Sequence, residues 1–144
     1  MLKHATVDSG LASFAPESSE SLVFRSSPEN TIGVELELQI IDPQTGDLAA
    51  GAVRILKLCH EEGLSDVTAE LMQSMIELKT GVCHNATEAK QQLVPLLRRV
   101  RNIATSLGYQ LAWGGTHPFS RGMVGAVSPG ERYERIQDRL AWIT

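Results

Sequence analysis

The run Gly33-Val34-Glu35-Leu36-Glu37-Leu38-Gln39 is the feature that most restricts how this chain can fold. Its apolar and polar residues alternate, and successive side chains of a β-strand point to opposite faces. The run therefore predicts a strand that buries one face and presents Glu35, Glu37 and Gln39 together on the other. Carboxylates on one face repel each other unless a positive charge lies between them, and an oxygen-bound divalent cation is a common solution. An ordinary antiparallel strand with one wet, acidic face is the open alternative.

Composition limits the class of protein. The 144 residues are enough for one domain, and a hydrophobic content of 42% is enough for a core. The 13 basic and 17 acidic residues give a formal charge of −4, which offers no electrostatic basis for binding nucleic acid. Cys59 and Cys83 make neither a disulfide framework nor a zinc site, so we expect two reduced thiols in the core. Because no apolar run could span a membrane and the N-terminus lacks signal-peptide features, we expect a cytoplasmic protein.

Local patterns predict an α+β fold that begins near residue 31. Residues 1–30 are rich in serine and have no sustained period, so we interpret them as a mobile N-terminal segment that precedes a domain over residues 31–144. The predicted elements, in chain order, are a strand over 31–41, a turn over 42–47, a helix ending before Gly63, a strand over 74–80, a helix over 85–107, a strand over 109–113 and a helix from Glu131.

The strongest helical signal lies over residues 85–107. Apolar residues recur there at helical spacing, which predicts one buried stripe. Asn85, followed three residues later by Glu88, is typical of an N-cap with its reciprocal glutamate. Gly108 follows the last apolar residue of the stripe and is expected to end the helix.

Three clusters of residues carry candidate chemistry. They are Glu35, Glu37 and Gln39; Glu70, Gln73 and Glu77; and the loop Gly114-Gly115-Thr116-His117-Pro118-Phe119. Oxygen ligands favour Mg²⁺ or Mn²⁺ over zinc or copper, and magnesium often binds phosphate oxygens, so nucleotide chemistry follows naturally. Paired glycines let a backbone approach a ligand closely. Each cluster also has a plain interpretation, because an acidic sheet face can be only a surface and a loop histidine can be only structural.

Glu70 and Glu77 raise a geometric question. Seven residues separate them, and an odd separation within one unbroken strand puts two side chains on opposite faces. Both carboxylates can face one site only if the backbone turns or bulges near residues 71–73.

Taken in order, these motifs resemble the bacterial carboxylate–amine ligases of the second glutamate–cysteine ligase family. The matching segments, which span about residues 31–144, are Gly33 to Gln39, Gln73-Ser74-Met75-Ile76-Glu77-Leu78-Lys79-Thr80-Gly81-Val82-Cys83, Gly114 to Phe119, and Arg132-Tyr133. The resemblance implies a glutamine-synthetase-like fold, in which an antiparallel sheet carries the metal and nucleotide site on one face. It also implies ATP-dependent joining of a carboxylate to an amine through an acyl phosphate, with Mg²⁺ or Mn²⁺, and leaves room for weak glutamate–cysteine ligase activity.

The resemblance assigns the site residues. Glu35 and Glu37 match the family's first acidic pair and Glu77 matches the glutamate of its second acidic strand, which implies three metal ligands. Glu70 is a candidate for an additional ligand. His117 matches the histidine of the family's Gly-Thr-His-Pro loop, and we expect it to be catalytic together with Glu77. The residues expected to contact the nucleotide are Glu35, Glu37, Gln39, Gln73 and His117.

The chain is short for this family, whose catalytic domain is more than twice as long. We therefore expect the N-terminal part of a ligase, as a truncated reading frame, an expression fragment or one piece of a split protein, and we expect it to be inactive alone. The expected partners are ATP, a small carboxylate and an amine, with a second copy or a complementing C-terminal chain, and neither nucleic acid nor a membrane. The alternative is a non-catalytic fragment that binds a divalent ion or a partner chain.

Overall fold

The structure, a computed structural model, describes residues 29–120 and 126–140. Within these residues the elements are β1 (Glu35–Ile41), α1 (Ala52–Glu61), β2 (Val67–Ala69), β3 (Met75–Lys79), α2 (Ala86–Ser106), β4 (Gln110–Ala112) and α3 (Glu131–Leu140). The strands form one antiparallel sheet in the order β2-β3-β1-β4. The α+β class is confirmed. The predicted mobile segment over residues 1–30 lies outside the described residues, except for its last two.

The hydrophobic core lies between one face of the sheet and helices α1 and α2. Leu38 and Ile40 of β1 and Ile76 and Leu78 of β3 are fully buried there, and they belong to one cluster with Val100 of α2. Burying each such side chain stabilises the fold by about 1.5–3 kcal/mol. Because side chains alternate along a strand, this core fixes which face of the sheet is left for polar residues.

Both cysteines are buried free thiols, as the sequence predicts. Burial, together with the nearby charge of Glu62, raises the pKa of the Cys59 thiol to about 11. Cys59 therefore stays a neutral core residue at ordinary pH. No helix in the described ranges is both long enough and apolar enough to cross a membrane.

Local capping signals set the ends of the helices as predicted. Asn85 caps α2 by accepting a hydrogen bond from the Glu88 backbone N–H at 3.0 Å. The Glu88 carboxylate accepts from the backbone N–H of His84 at 2.7 Å, one residue earlier than in a standard capping box. Gly63 after α1 and Gly108 after α2 both have positive φ, at 71° and 83°. These glycines end the two helices that cover the core.

The turn after β1 is also formed as predicted. The Asp42 side chain accepts hydrogen bonds from the backbone N–H groups of Gln44 and Thr45, at 2.7 and 3.2 Å. Gly46 closes the turn with φ at 75°, and its N–H donates to the Asp42 carbonyl at 2.9 Å. This turn places the Gly46 carbonyl where a distant loop can contact it.

The predicted strand over residues 74–80 is confirmed as β3, and the segment before it adds a strand, β2, that was not predicted. The segment 67–80 forms a hairpin in which β2 pairs with β3, and Thr68 lies opposite Glu77. The sequence analysis missed β2 because three residues are too few to show a period. The reversal required between Glu70 and Glu77 is a full hairpin turn rather than a bulge within one strand.

Candidate functional site

The polar face of the sheet brings acidic residues of two strands together. Glu35, Glu37 and Gln39 share one face of β1, and the register places Glu37 directly opposite Glu77 of β3. Glu35 lies opposite Lys79. Like charges directly opposite each other destabilise a sheet, whereas opposite charges stabilise it. The Glu37–Glu77 pair is therefore the point on this face where a bound cation would be most stabilising.

The Glu77 carboxylate is oriented by the neighbouring strand. The Thr68 hydroxyl of β2 donates to Glu77 Oε1 at 3.1 Å. In the part of the chain that the structure describes, the ion pairs shorter than 4.0 Å involve neither Glu37 nor Glu77. The two opposed carboxylates thus keep lone pairs available, and among residues 29–120 and 126–140 no basic side chain forms an ion pair with either of them.

The two carboxylates suit magnesium, which takes part of its ligands from water and phosphate, better than they suit a metal ion that takes all its ligands from the protein. Across residues 29–120 and 126–140, no three His, Cys, Asp or Glu side chains are grouped so that they could hold a metal ion. Magnesium is usually bound by one or two carboxylates, several waters and substrate phosphates. Glu37 and Glu77 supply such a pair of carboxylates, with Glu35 further along the same face.

Glu70 lies close to the same region because the hairpin reverses the chain. It follows β2 directly, and its charge acts on the hydroxyl of Tyr133 in α3. Burial raises the pKa of Tyr133 above its ordinary value, Glu70 raises it further, Arg132 lowers it, and Glu77 adds a smaller increase. Both glutamates therefore raise the pKa of the same hydroxyl group, although seven residues separate them in sequence.

The two glutamines that we expect to contact the nucleotide are engaged by backbone carbonyls. Gln73 Nε2 donates to the Val127 carbonyl at 3.0 Å, which ties the hairpin turn to the segment before α3. Gln39 is 7% exposed, and its Nε2 donates to the Gly114 carbonyl at 3.4 Å. Both side chains hold loops in place, and their contact with a nucleotide stays a prediction.

His117 is held by backbone groups on both sides of its ring. Its Nδ1 accepts from the Ser120 N–H at 3.1 Å, and its Nε2 lies 2.9 Å from the Gly46 carbonyl oxygen. An acceptor at Nδ1 and a donor at Nε2 define the neutral Nε2–H tautomer. The ring also meets Phe119 edge-on, with centroids 4.6 Å apart. Every polar atom of the ring has a partner, so the predicted contact with phosphate would require one of these bonds to open.

Three residues that shape this site were given no role there from the sequence. Thr68 was missed because β2 was not recognised, and Tyr133 belongs to the matching Arg132-Tyr133 segment but was assigned no function. Gly46 was seen as a turn residue, and nothing local predicts that it contacts His117, 71 residues away. A hydroxyl residue on a strand beside an acidic strand is the one signal that could have found Thr68.

The region that contains these motifs is similar in sequence to known proteins. Residues 31–143 match the model of the family described as "Glutamate-cysteine ligase family 2 (GCS2)". A protein of Gloeobacter violaceus named "Putative glutamate–cysteine ligase 2" is 35% identical over 125 residues, which cover 85% of this chain and 33% of that protein. Relatives of the same kind from Ralstonia pickettii and Rubrobacter xylanophilus are 36% and 40% identical, and the matches cover 83% and 78% of this chain. The chain spans about a third of the length of these curated relatives.

Proposed function

We propose, because this chain belongs to glutamate–cysteine ligase family 2, that it forms the N-terminal part of an ATP-dependent carboxylate–amine ligase. Its sheet would then belong to a glutamine-synthetase-like domain that starts near residue 31. The observation that carries the proposal is the opposed pair Glu37–Glu77 on the open polar face of the sheet. A carboxylate pair without a basic partner is the kind of site that binds a magnesium–nucleotide complex.

The proposed reaction has two steps. A carboxylate oxygen of the acid attacks the γ-phosphorus of ATP, which forms an acyl phosphate and releases ADP. The amine nitrogen then attacks the acyl carbon, phosphate leaves, and the nitrogen loses a proton. Catalysis in such transfers is mostly positioning and charge stabilisation. Glutamate and cysteine are the first acid and amine to test, because the relatives' names refer to them.

Glu37 and Glu77 would hold the divalent ion, either Mg²⁺ or Mn²⁺, together with waters and phosphate oxygens of ATP. Glu35, further along the same face, and Glu70, at the hairpin turn, are candidates for an additional ligand that reaches the ion through water. The ion would neutralise the phosphate oxygens of ATP when bound. The chain's own contribution is orientation, since Thr68 fixes one oxygen of Glu77 and β1 and β3 fix the separation of the two strands.

His117 would hold a phosphate oxygen of ATP or of the acyl phosphate. The hydrogen bond from its Nε2–H to the Gly46 carbonyl must then break, so that the same N–H can donate to a phosphate oxygen. The loop 113–120 is joined to the turn over 42–47 through this hydrogen bond, so binding of ATP and movement of the loop would be coupled. Gln39 and Gln73 would serve mainly by holding the neighbouring loops.

Residues 1–144 alone are expected to carry out no ligation, with a second copy or a C-terminal chain needed to complete the site. Within the described part of the chain, strand β4 has a partner strand on one side only, and Trp113 just beyond it is 67% exposed. Exposed aromatic surface beside an unpaired strand edge is typical of a covered interface. The competing function, a non-catalytic protein that binds a divalent ion or a partner chain, would keep this surface and the acidic face without turnover.

The test is ADP release in the presence of ATP, Mg²⁺, glutamate and cysteine. We expect release from the natural full-length protein that contains these residues and none from residues 1–144. In the full-length protein, Glu77→Gln should lower turnover by roughly a hundredfold or more, because a charge that stabilises the metal–phosphate complex is lost. Glu61→Gln, at an exposed position on α1, is the matched control. Turnover by a monomer of residues 1–144, or unchanged turnover in Glu77→Gln, would contradict the proposal.

A further inference from the structure

Helix α3 contacts the acidic hairpin through one side-chain hydrogen bond. The Tyr133 hydroxyl donates to the Ala69 carbonyl at 2.6 Å, across 64 residues of sequence. Ala69 lies between Thr68, which orients Glu77, and Glu70. The phenol therefore holds the backbone of β2 between Glu70 and Thr68, whose hydroxyl orients Glu77 across the hairpin.

The backbone just before α3 reinforces this attachment. The Gln73 N–H donates to the Ala126 carbonyl at 2.9 Å, and the Ser128 N–H donates to the Leu71 carbonyl at 2.8 Å. The turn that joins β2 to β3 thus pairs with residues 126–128, and Tyr133 holds the end of β2, which leads into that turn. The pairing of β3 with β1 sets the positions of those two strands, whereas these contacts hold the turn and the end of β2 against residues 126–133.

We propose that Tyr133 is a positioning residue for the metal site, because its hydrogen bond to Ala69 holds the backbone that carries Glu70 and Thr68, the hydroxyl partner of Glu77. The inference rests on the proposed function of the acidic face. The phenol keeps its proton and remains a donor at neutral pH, because the ordinary pKa of a tyrosine, about 10, lies well above 7. A phenol that lost this proton would repel the carbonyl.

A positioning role has a consequence that differs between metals. Magnesium demands near-ideal octahedral geometry, whereas calcium accepts six to eight ligands in a flexible arrangement. A hairpin released by loss of the Tyr133 hydroxyl should therefore lose affinity for Mg²⁺ and largely keep affinity for Ca²⁺. A general loss of structure would lower both affinities together.

The experiment is a competition titration on residues 1–144. Bound Mn²⁺ is followed by electron paramagnetic resonance while Mg²⁺ or Ca²⁺ displaces it. In Tyr133→Phe, which keeps the ring and removes only the hydroxyl, we expect the Mg²⁺ affinity to fall by roughly tenfold. The Ca²⁺ affinity should change by less than about twofold, since its ligand geometry is flexible. Tyr109→Phe is the matched control, because that hydroxyl contacts Arg54 of α1.

The two ways to fail are distinct. If the wild-type chain binds metal and Tyr133→Phe lowers both affinities equally, or neither, the positioning role is wrong while the proposed function stands. If the wild-type chain binds neither Mn²⁺ nor Mg²⁺, Tyr133 positions no metal site in residues 1–144 and this inference is overturned, whereas the proposed function is judged separately by ADP release. A selective loss for Mg²⁺ that Tyr109→Phe does not reproduce supports the role of Tyr133.

Discussion

Replacing Glu37 by glutamine is expected to weaken Mn²⁺ binding by roughly tenfold or more and, at the same time, to stabilise the metal-free protein. The two effects have one cause, since Glu37 lies directly opposite Glu77 and no basic side chain neutralises either within the described residues. Removing one of two opposed charges should raise the free energy of unfolding by about 0.2–1 kcal/mol. A residue that lowers the stability of the metal-free protein but is required for metal binding is present for function rather than as part of a solvated strand face.

Two titrations measure these effects. Mn²⁺ affinity is followed by electron paramagnetic resonance, and stability by urea denaturation with a chelator present. Glu61→Gln removes the same charge from an exposed position of α1 and should change neither quantity. A Glu37→Gln protein that binds Mn²⁺ as the parent does, or that unfolds more easily in chelator, would show that Glu37 belongs only to a solvated strand face.

Replacing His117 by alanine is expected to release the loop over residues 113–120 from the turn over residues 42–47. The substitution removes the partners of the Ser120 N–H and the Gly46 carbonyl, and it also removes the edge contact with Phe119. Two lost hydrogen bonds correspond to about 1–3 kcal/mol of docking free energy. The Ser120 amide should then exchange with deuterium roughly tenfold faster or more, while amides of α2 keep their protection.

Matched variants separate the two roles of His117. His117→Asn retains an acceptor near the position of Nδ1 and should restore part of the Ser120 protection, whereas His60→Ala on α1 should have no effect. In the natural full-length protein, a turnover loss in His117→Ala that His117→Asn repairs would indicate that the histidine acts by docking the loop. If Ser120 exchanges at the same rate in His117→Ala and in the parent, the docking account is wrong.

The sequence predicts those parts of the fold that depend on neighbours in the chain. The alternation from Glu35 to Gln39 predicts the polar face of β1, and Asn85 with Glu88 predicts the start of α2. In each of these patterns the residues concerned lie within four positions of each other in the sequence. The α+β class follows from the same local periods, because they separate strands from helices.

The rest depends on contacts between distant segments. Strand β2 has three residues, and the turn after it, Glu70 to Ser74, contains no glycine, proline, asparagine or aspartate to mark a reversal. The pairing of Glu37 with Glu77 depends on register, which packing and that turn fix together. The backbone carbonyls that His117 and Tyr133 contact lie more than sixty residues away, so no local pattern could reveal these two hydrogen bonds.

The most direct test of the acidic face is to map where Mn²⁺ binds on residues 1–144. Paramagnetic Mn²⁺, added at substoichiometric amounts, broadens the nuclear magnetic resonance signals of amides close to it. We predict that the amides of Glu37, Glu77 and Thr68 broaden first, and that those of His60 and Glu61 on α1 remain sharp. Broadening centred on α1 or on the turn over residues 42–47, or no selective broadening at all, would contradict the assignment of this face as the metal and nucleotide site.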